Sequence, residues 1–190
     1  MIQMKADKYD VNIEEKLYAD IIFCCERIQA DNSLKDAIED VINDRLRDLL
    51  DAKDYIDRDQ TRQGTSSTGK QAGEIDILVK NGNMPLSLIE ALKLDCVNKS
   101  KLQEHIDKIY NYDTLGYEFN FLIAYVKTKD FEEFWRKYKE FVCSYEYPYK
   151  MIGYEIDDKK QYPELRCIEV LLNRNGMKTK LYNIVVHMPN

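Results

Sequence analysis

The chain has 190 residues, 44% of them hydrophobic and 33% charged, which suits one domain large enough to bury a real core. No apolar run reaches eighteen residues, and the opening MIQMKADKYDVN carries charge where a secretory signal needs an apolar stretch, so the composition argues for a cytoplasmic protein with no membrane span. A net charge of −6 excludes holding nucleic acid by bulk attraction, and the scattered Cys24, Cys25, Cys96, Cys143 and Cys167, with only His105 and His187 beside them, argue against disulfides and structural zinc.

The charge is uneven. Residues 1–59 hold 16 acidic and 9 basic residues, whereas residues 60–190 hold 18 and 19, so only the second part is suited to facing a phosphate backbone. Two helices are predicted to open the chain, over 12–30 and 33–52, with Ser33 and Asp36 as a capping pair. The second carries Leu34, Ile38, Val41, Leu46, Leu49 and Leu50 on one side. Glu39 falls in line with Ile42, Leu46 and Leu50, at the border of the buried stripe, where a carboxylate needs a partner or a metal.

A short extended piece near Tyr55–Arg58 leads into the polar loop 60–73, and two apolar runs follow, 74–80 and 86–94, joined by a hairpin loop at 81–85. A helix is predicted from Lys99 to about Tyr112, with Leu102, Ile106 and Ile109 on one face. A strand over Phe119–Val126, an amphipathic helix over 130–143, and a final hairpin of 166–172 with 179–187 complete the pattern.

If 74–80 pairs antiparallel with 86–94 so that Lys80 faces Leu86, partner numbers sum to 166 and Asp76 stands directly opposite Glu90. Direct cross-strand partners share a face, with Cβ atoms roughly 4.5–5.5 Å apart. Two carboxylates that close need a neutralising cation, and hard oxygen ligands favour Mg2+ or Mn2+. The Ala91 carbonyl is a further candidate ligand.

Helix with Glu39, then Gly73-Glu74-Ile75-Asp76, a hairpin, Ile89-Glu90-Ala91-Leu92-Lys93, then helix and strand: over residues 33–127 the chain resembles the PD-(D/E)xK, or restriction-endonuclease-like, nucleases. The resemblance implies an α/β fold with an αβββαβ core, its central mixed sheet flanked by helices, here within a single 1–190 domain that adds two N-terminal helices and a C-terminal hairpin. It implies metal ligation by Asp76 and Glu90, a supporting carboxylate at Glu39, and a lysine that positions water or stabilises the transition state of phosphodiester hydrolysis. It also implies nucleic-acid substrates, DNA before RNA, a role in bacterial defence or DNA processing, a larger ATPase or sensor partner, and a homodimer. The lysine departs from the family pattern. Position 92 is a leucine, and Lys93, turned away from Glu90 by strand alternation, reaches that face if a bulge turns it or if its long side chain reaches back over one strand residue. Without that lysine the alternative is a catalytically impaired module of the same fold that binds nucleic acid or a protein partner.

Three further features bear on partners. Arg62 and Lys70 in the polar loop, and Lys101, His105 and Lys108 on one face of the 99–112 helix, are candidate nucleic-acid contacts, although a solvated basic face is the more common explanation for the second group. Gly64 to Lys70 has the GxxxxGK spacing of a phosphate-binding loop, but Gln71 stands where a serine or threonine is needed and a strand follows instead of a helix. The aromatic stretch 131–149 reads as packing.

Overall fold

The computed structural model describes residues 12–55, 75–157 and 162–189. The Asn12 side chain accepts from the Glu14 N–H and caps helix α1 (Ile13–Ala30), whose Leu17, Ile21, Cys24, Cys25 and Ile28 form its buried stripe. The next helix begins later than its hydrophobic pattern predicts. Asp31, not Ser33, supplies the local cap, its Oδ1 accepting from the Ser33 N–H (2.9 Å) to make a single 3-10 turn over Asn32–Leu34, and α2 (Glu39–Asp51) starts after a break. That break buries Leu34 on its own and turns Ile38 and Val41 outward, leaving Ile42, Asn43, Leu46 and Leu50 as the buried side of α2.

Strand β1 (Ile77–Asn81) turns through Gly82-Asn83 into β2 (Met84–Leu94), a two-residue connection tighter than the predicted loop, with Gly82 at a φ of +59° that a side chain would resist. Ile77–Val79 pair with Ile89–Ser87 in the predicted register, but the ladder then slips. Lys80 faces Pro85 instead of Leu86, at the one β2 residue that has no N–H to donate.

Helix α3 (Lys99–Tyr112), capped by the Asn98 side chain on the Lys101 N–H, leads into β3 (Phe119–Val126). Helix α4 (Phe131–Ser144) follows, capped by Asp130, and then β4 (Lys150–Asp157), a strand absent from the sequence reading. The chain closes with β5 (Leu165–Arg174) and β6 (Met177–His187), joined by Asn175-Gly176, both at positive φ.

The six strands form one mixed, open sheet in the order β1-β2-β3-β6-β5-β4. β2, β3 and β6 run parallel, with antiparallel strands on either side, so β6 pairs with β5 as a hairpin and also inserts against β3. Helices α1 and α2 cover one face and α3 and α4 the other, and strand alternation supplies a core to each. Phe121, Ile123, Tyr182 and Ile184 face α1 and α2, while Leu122, Ala124, Leu181 and Val185 face α3 and α4. The protein is therefore an α/β fold with four α-helices among the described residues. Two strands, not three, stand between α2 and α3 among those residues.

Candidate metal centre

The hairpin register carries the site. Extending the Ile77↔Ile89 pairing by one residue sets Asp76 opposite Glu90, and the two are joined directly, the Asp76 N–H donating to Glu90 Oε1 at 3.0 Å. Beyond Ile89, β2 has no ladder on this side among the described residues, and two carboxylates accept its N–H groups there. The Ala91 N–H donates to Asp76 Oδ2 (2.8 Å) and the Lys93 N–H to Glu39 Oε2 (2.7 Å). A strand residue directs its carbonyl to the same edge as its N–H, so the Ala91 oxygen faces this side too.

Glu90 is completely buried and points to the α3 face. There α3 presents three side chains at helical spacing, Lys101, His105 and Lys108. His105 Nδ1 lies 2.8 Å from Glu90 Oε2, and Lys108 Nζ lies 2.9 Å from Oε1 and 3.0 Å from Oε2. Lys101 Nζ donates to Glu39 Oε2 at 2.9 Å and to the Lys93 carbonyl at 3.1 Å. This face of α3 is thus turned onto acidic groups, with its three side chains only partly exposed, so it is not simply a solvated basic face.

Ligand atoms of Asp76, Glu90 and His105 lie within 4.8 Å of one another. Burial, and then the negative charge of Glu90, push the Asp76 carboxyl above its ordinary pKa, against the opposing pull of the Ala91 N–H, Lys108 and His105. Like charges held at close range in a half-buried place are the condition that a divalent cation relieves, and two carboxylates with one imidazole form a donor set that fits one. Carboxylates suit Mg2+ and Mn2+, and the added imidazole nitrogen moves the set toward Mn2+. Glu39 lies outside this cluster. Burial raises its carboxyl, but the Lys93 N–H and the Lys101 ammonium outweigh that, and its pKa falls below the usual value.

Lys93 is not brought to the pair. β2 runs in unbroken register with β3 from Ile89 to Leu94, so no bulge turns the side chain, and Lys93 Nζ donates to the Ala37 carbonyl (2.7 Å) ahead of α2. Arg62 and Lys70 lie outside the described residues, as do Glu74 and the whole GxxxxGK stretch.

Two residues were missed from sequence. Arg47 of α2 donates from Nε (3.3 Å) and Nη2 (3.0 Å) to the Asp76 carbonyl, anchoring the backbone that carries the first carboxylate. It lies eight residues from Glu39, on a shared side of α2, but spacing does not say what that side meets, so only the packing of α2 could disclose it. Tyr125, beside Lys93 in the parallel ladder, is fully buried with a hydroxyl that has no hydrogen-bond partner among the described residues.

No helix among the described residues is long and apolar enough to cross a membrane. The chain matches no protein-family model, no curated protein and no solved structure, so the chemistry of the site rests on its own geometry.

Proposed function

We propose that this protein is a metal-dependent nuclease of the restriction-endonuclease-like kind, hydrolysing phosphodiester bonds in nucleic acid, DNA before RNA. The observation that carries the reading is the convergence of Asp76, Glu90 and His105 at a sheet edge, joined to one another and within reach of a single cation. Asp76 and Glu90 would hold Mg2+ or Mn2+, with His105 and the Ala91 carbonyl completing the set and Glu39 supporting the strand behind them. A bound divalent ion supplies polarisation of the scissile phosphate and acidification of a water. The chain's own contribution is to fix the donors: Arg47 holds the Asp76 backbone, and the Ala91 N–H orients its carboxylate. A role in defence or DNA processing, with a larger ATPase or sensor as partner and a homodimer cutting paired strands, belongs to the same reading.

A second reading is favoured by one observation. Lys93 is held on the far side by Ala37, which suits a module of this fold that binds nucleic acid or a protein partner without cutting. Labelled single- and double-stranded DNA and RNA, incubated with the protein in Mg2+ or Mn2+, decide between them. Cleavage by the wild type that falls on the order of a hundredfold or more in Asp76→Asn and in Glu90→Gln is the expected result. Cleavage unchanged in both variants removes this site from the chemistry, and binding without cleavage in any metal selects the second reading.

A further inference from the structure

Glu90 has more donors than a metal ligand can keep. A carboxylate offers about four lone-pair positions, and here the Asp76 N–H takes Oε1, His105 Nδ1 takes Oε2, and Lys108 Nζ reaches both. The carboxylate has no exposed surface through which a cation could add a further contact, so one donor must leave before a metal binds.

The three donors differ in their freedom to move. The Asp76 N–H is backbone, and Arg47 pins the carbonyl of the same residue. His105 is only 12% exposed and is itself within reach of the cation as a ligand. Lys108 is a single charge on a flexible four-carbon stem, 21% exposed, and its hydrogen bonds among the described residues all go to Glu90. Its charge also opposes an incoming dication directly.

We infer that the Lys108 ammonium and a divalent cation compete for the same Glu90 oxygens. In the absence of metal Lys108 is the counter-ion that makes a buried carboxylate tolerable. When metal takes Glu90, the ammonium is displaced toward the solvent side of α3, where it pairs with a phosphate oxygen of the substrate. Lys108 thereby supplies from a helix the positive charge that Lys93, on the wrong side of its strand, does not. The inference rests on the metal-centre reading above.

The test uses the full chain and Mn2+ alone, with free ion measured by electron paramagnetic resonance, beside cleavage of labelled DNA at saturating Mn2+. Lys108→Met is expected to bind Mn2+ roughly tenfold more tightly than wild type, the scale of one lost charge-assisted contact. Its cleavage rate at saturating metal is expected to fall on the order of a hundredfold. Lys108→Arg, which keeps the charge, is expected to restore wild-type affinity. Damage to the fold would weaken both properties together, so the opposite movement of affinity and rate is the signature of competition. If Lys108→Met does not fold, Lys108→Gln removes the charge while keeping a donor for Glu90 and answers the same question. Mn2+ affinity that is unchanged or weaker in the uncharged variants, while the wild type binds, overturns the inference and leaves the metal centre standing; a wild type that binds no Mn2+ removes both.

Discussion

Asp20 gathers more donors than its position on a helix surface would suggest. Lys53 Nζ donates to Oδ1 (2.6 Å), and the Tyr55 hydroxyl (2.8 Å) and Lys16 Nζ (3.2 Å) donate to Oδ2. Burial raises its pKa, but Lys53, Tyr55 and Lys16 together bring it below the ordinary value. A carboxyl with a depressed folded-state pKa contributes stability that is present above its unfolded value, near 3.9, and lost as pH falls through the folded value. Wild type is therefore expected to exceed Asp20→Asn by about 1–2 kcal/mol at pH 7 in urea unfolding, with the gap closing as pH drops below about 4. A gap that stays constant down to acid denaturation would contradict the ionic account. Tyr125 makes the opposite case. Its hydroxyl is buried with no partner among the described residues, so Tyr125→Phe is expected to leave the melting temperature unchanged or raise it, a gain of up to about 1 kcal/mol. A clear loss of stability in Tyr125→Phe would mean that the hydroxyl is bonded after all.

At the scale of elements, the C-terminal half of β2 is, among the described residues, an edge whose N–H groups are met by side chains. Glu39 accepts the Lys93 N–H and the Lys101 ammonium at once, tying α2, β2 and α3 together. Glu39→Ala leaves a backbone donor without its partner and a lysine without its counter-charge, and is expected to cost about 2–3 kcal/mol in chemical unfolding. Glu39→Gln keeps an acceptor for the N–H and is expected to cost less than half of that. Equal losses in the two would show that the Lys101 pairing, and not the edge bond, carries the effect. Helix α3 hangs on the same logic at its start: Asn98→Ala removes the cap on the Lys101 N–H and is expected to lower stability by about 1 kcal/mol.

At the scale of the molecule, β6 decides whether the two cores behave as one. Ile184 faces the core beneath α1 and α2, and Leu181 the core beneath α3 and α4, three residues apart on the same strand. Each alanine substitution is expected to cost about 2–5 kcal/mol. A strand shared by both cores predicts a single unfolding transition in either variant, coincident by far-ultraviolet circular dichroism and by tryptophan fluorescence from Trp135 in α4. Separate transitions would mean that the two layers unfold independently.

Local pattern determined much of this. A hairpin in which Lys80 faces Leu86 predicts Asp76 opposite Glu90; the turn is tighter and Lys80 faces Pro85, but the slip between Val79 and Lys80 restores the predicted register over Ile77–Val79, so the pairing holds although its starting point does not. Leu102, Ile106 and Ile109 at helical spacing are enough for α3. Tertiary structure alone decided the rest. The spacing of Lys101, His105 and Lys108 shows that they share a face but not what that face meets, since periodicity carries no information about the partner, and only the seating of α3 on β2 turns them onto Glu39 and Glu90. The apolar spacing over 34–50 reads as one helix because spacing does not register the short 3-10 turn that Asp31 caps over Asn32–Leu34, or the break before α2 begins at Glu39. Strand β4, at the sheet edge and half exposed, lacks the buried stripe that marks a strand, and the insertion of β6 beside β3 is a pairing between segments distant in the chain, which no local pattern specifies.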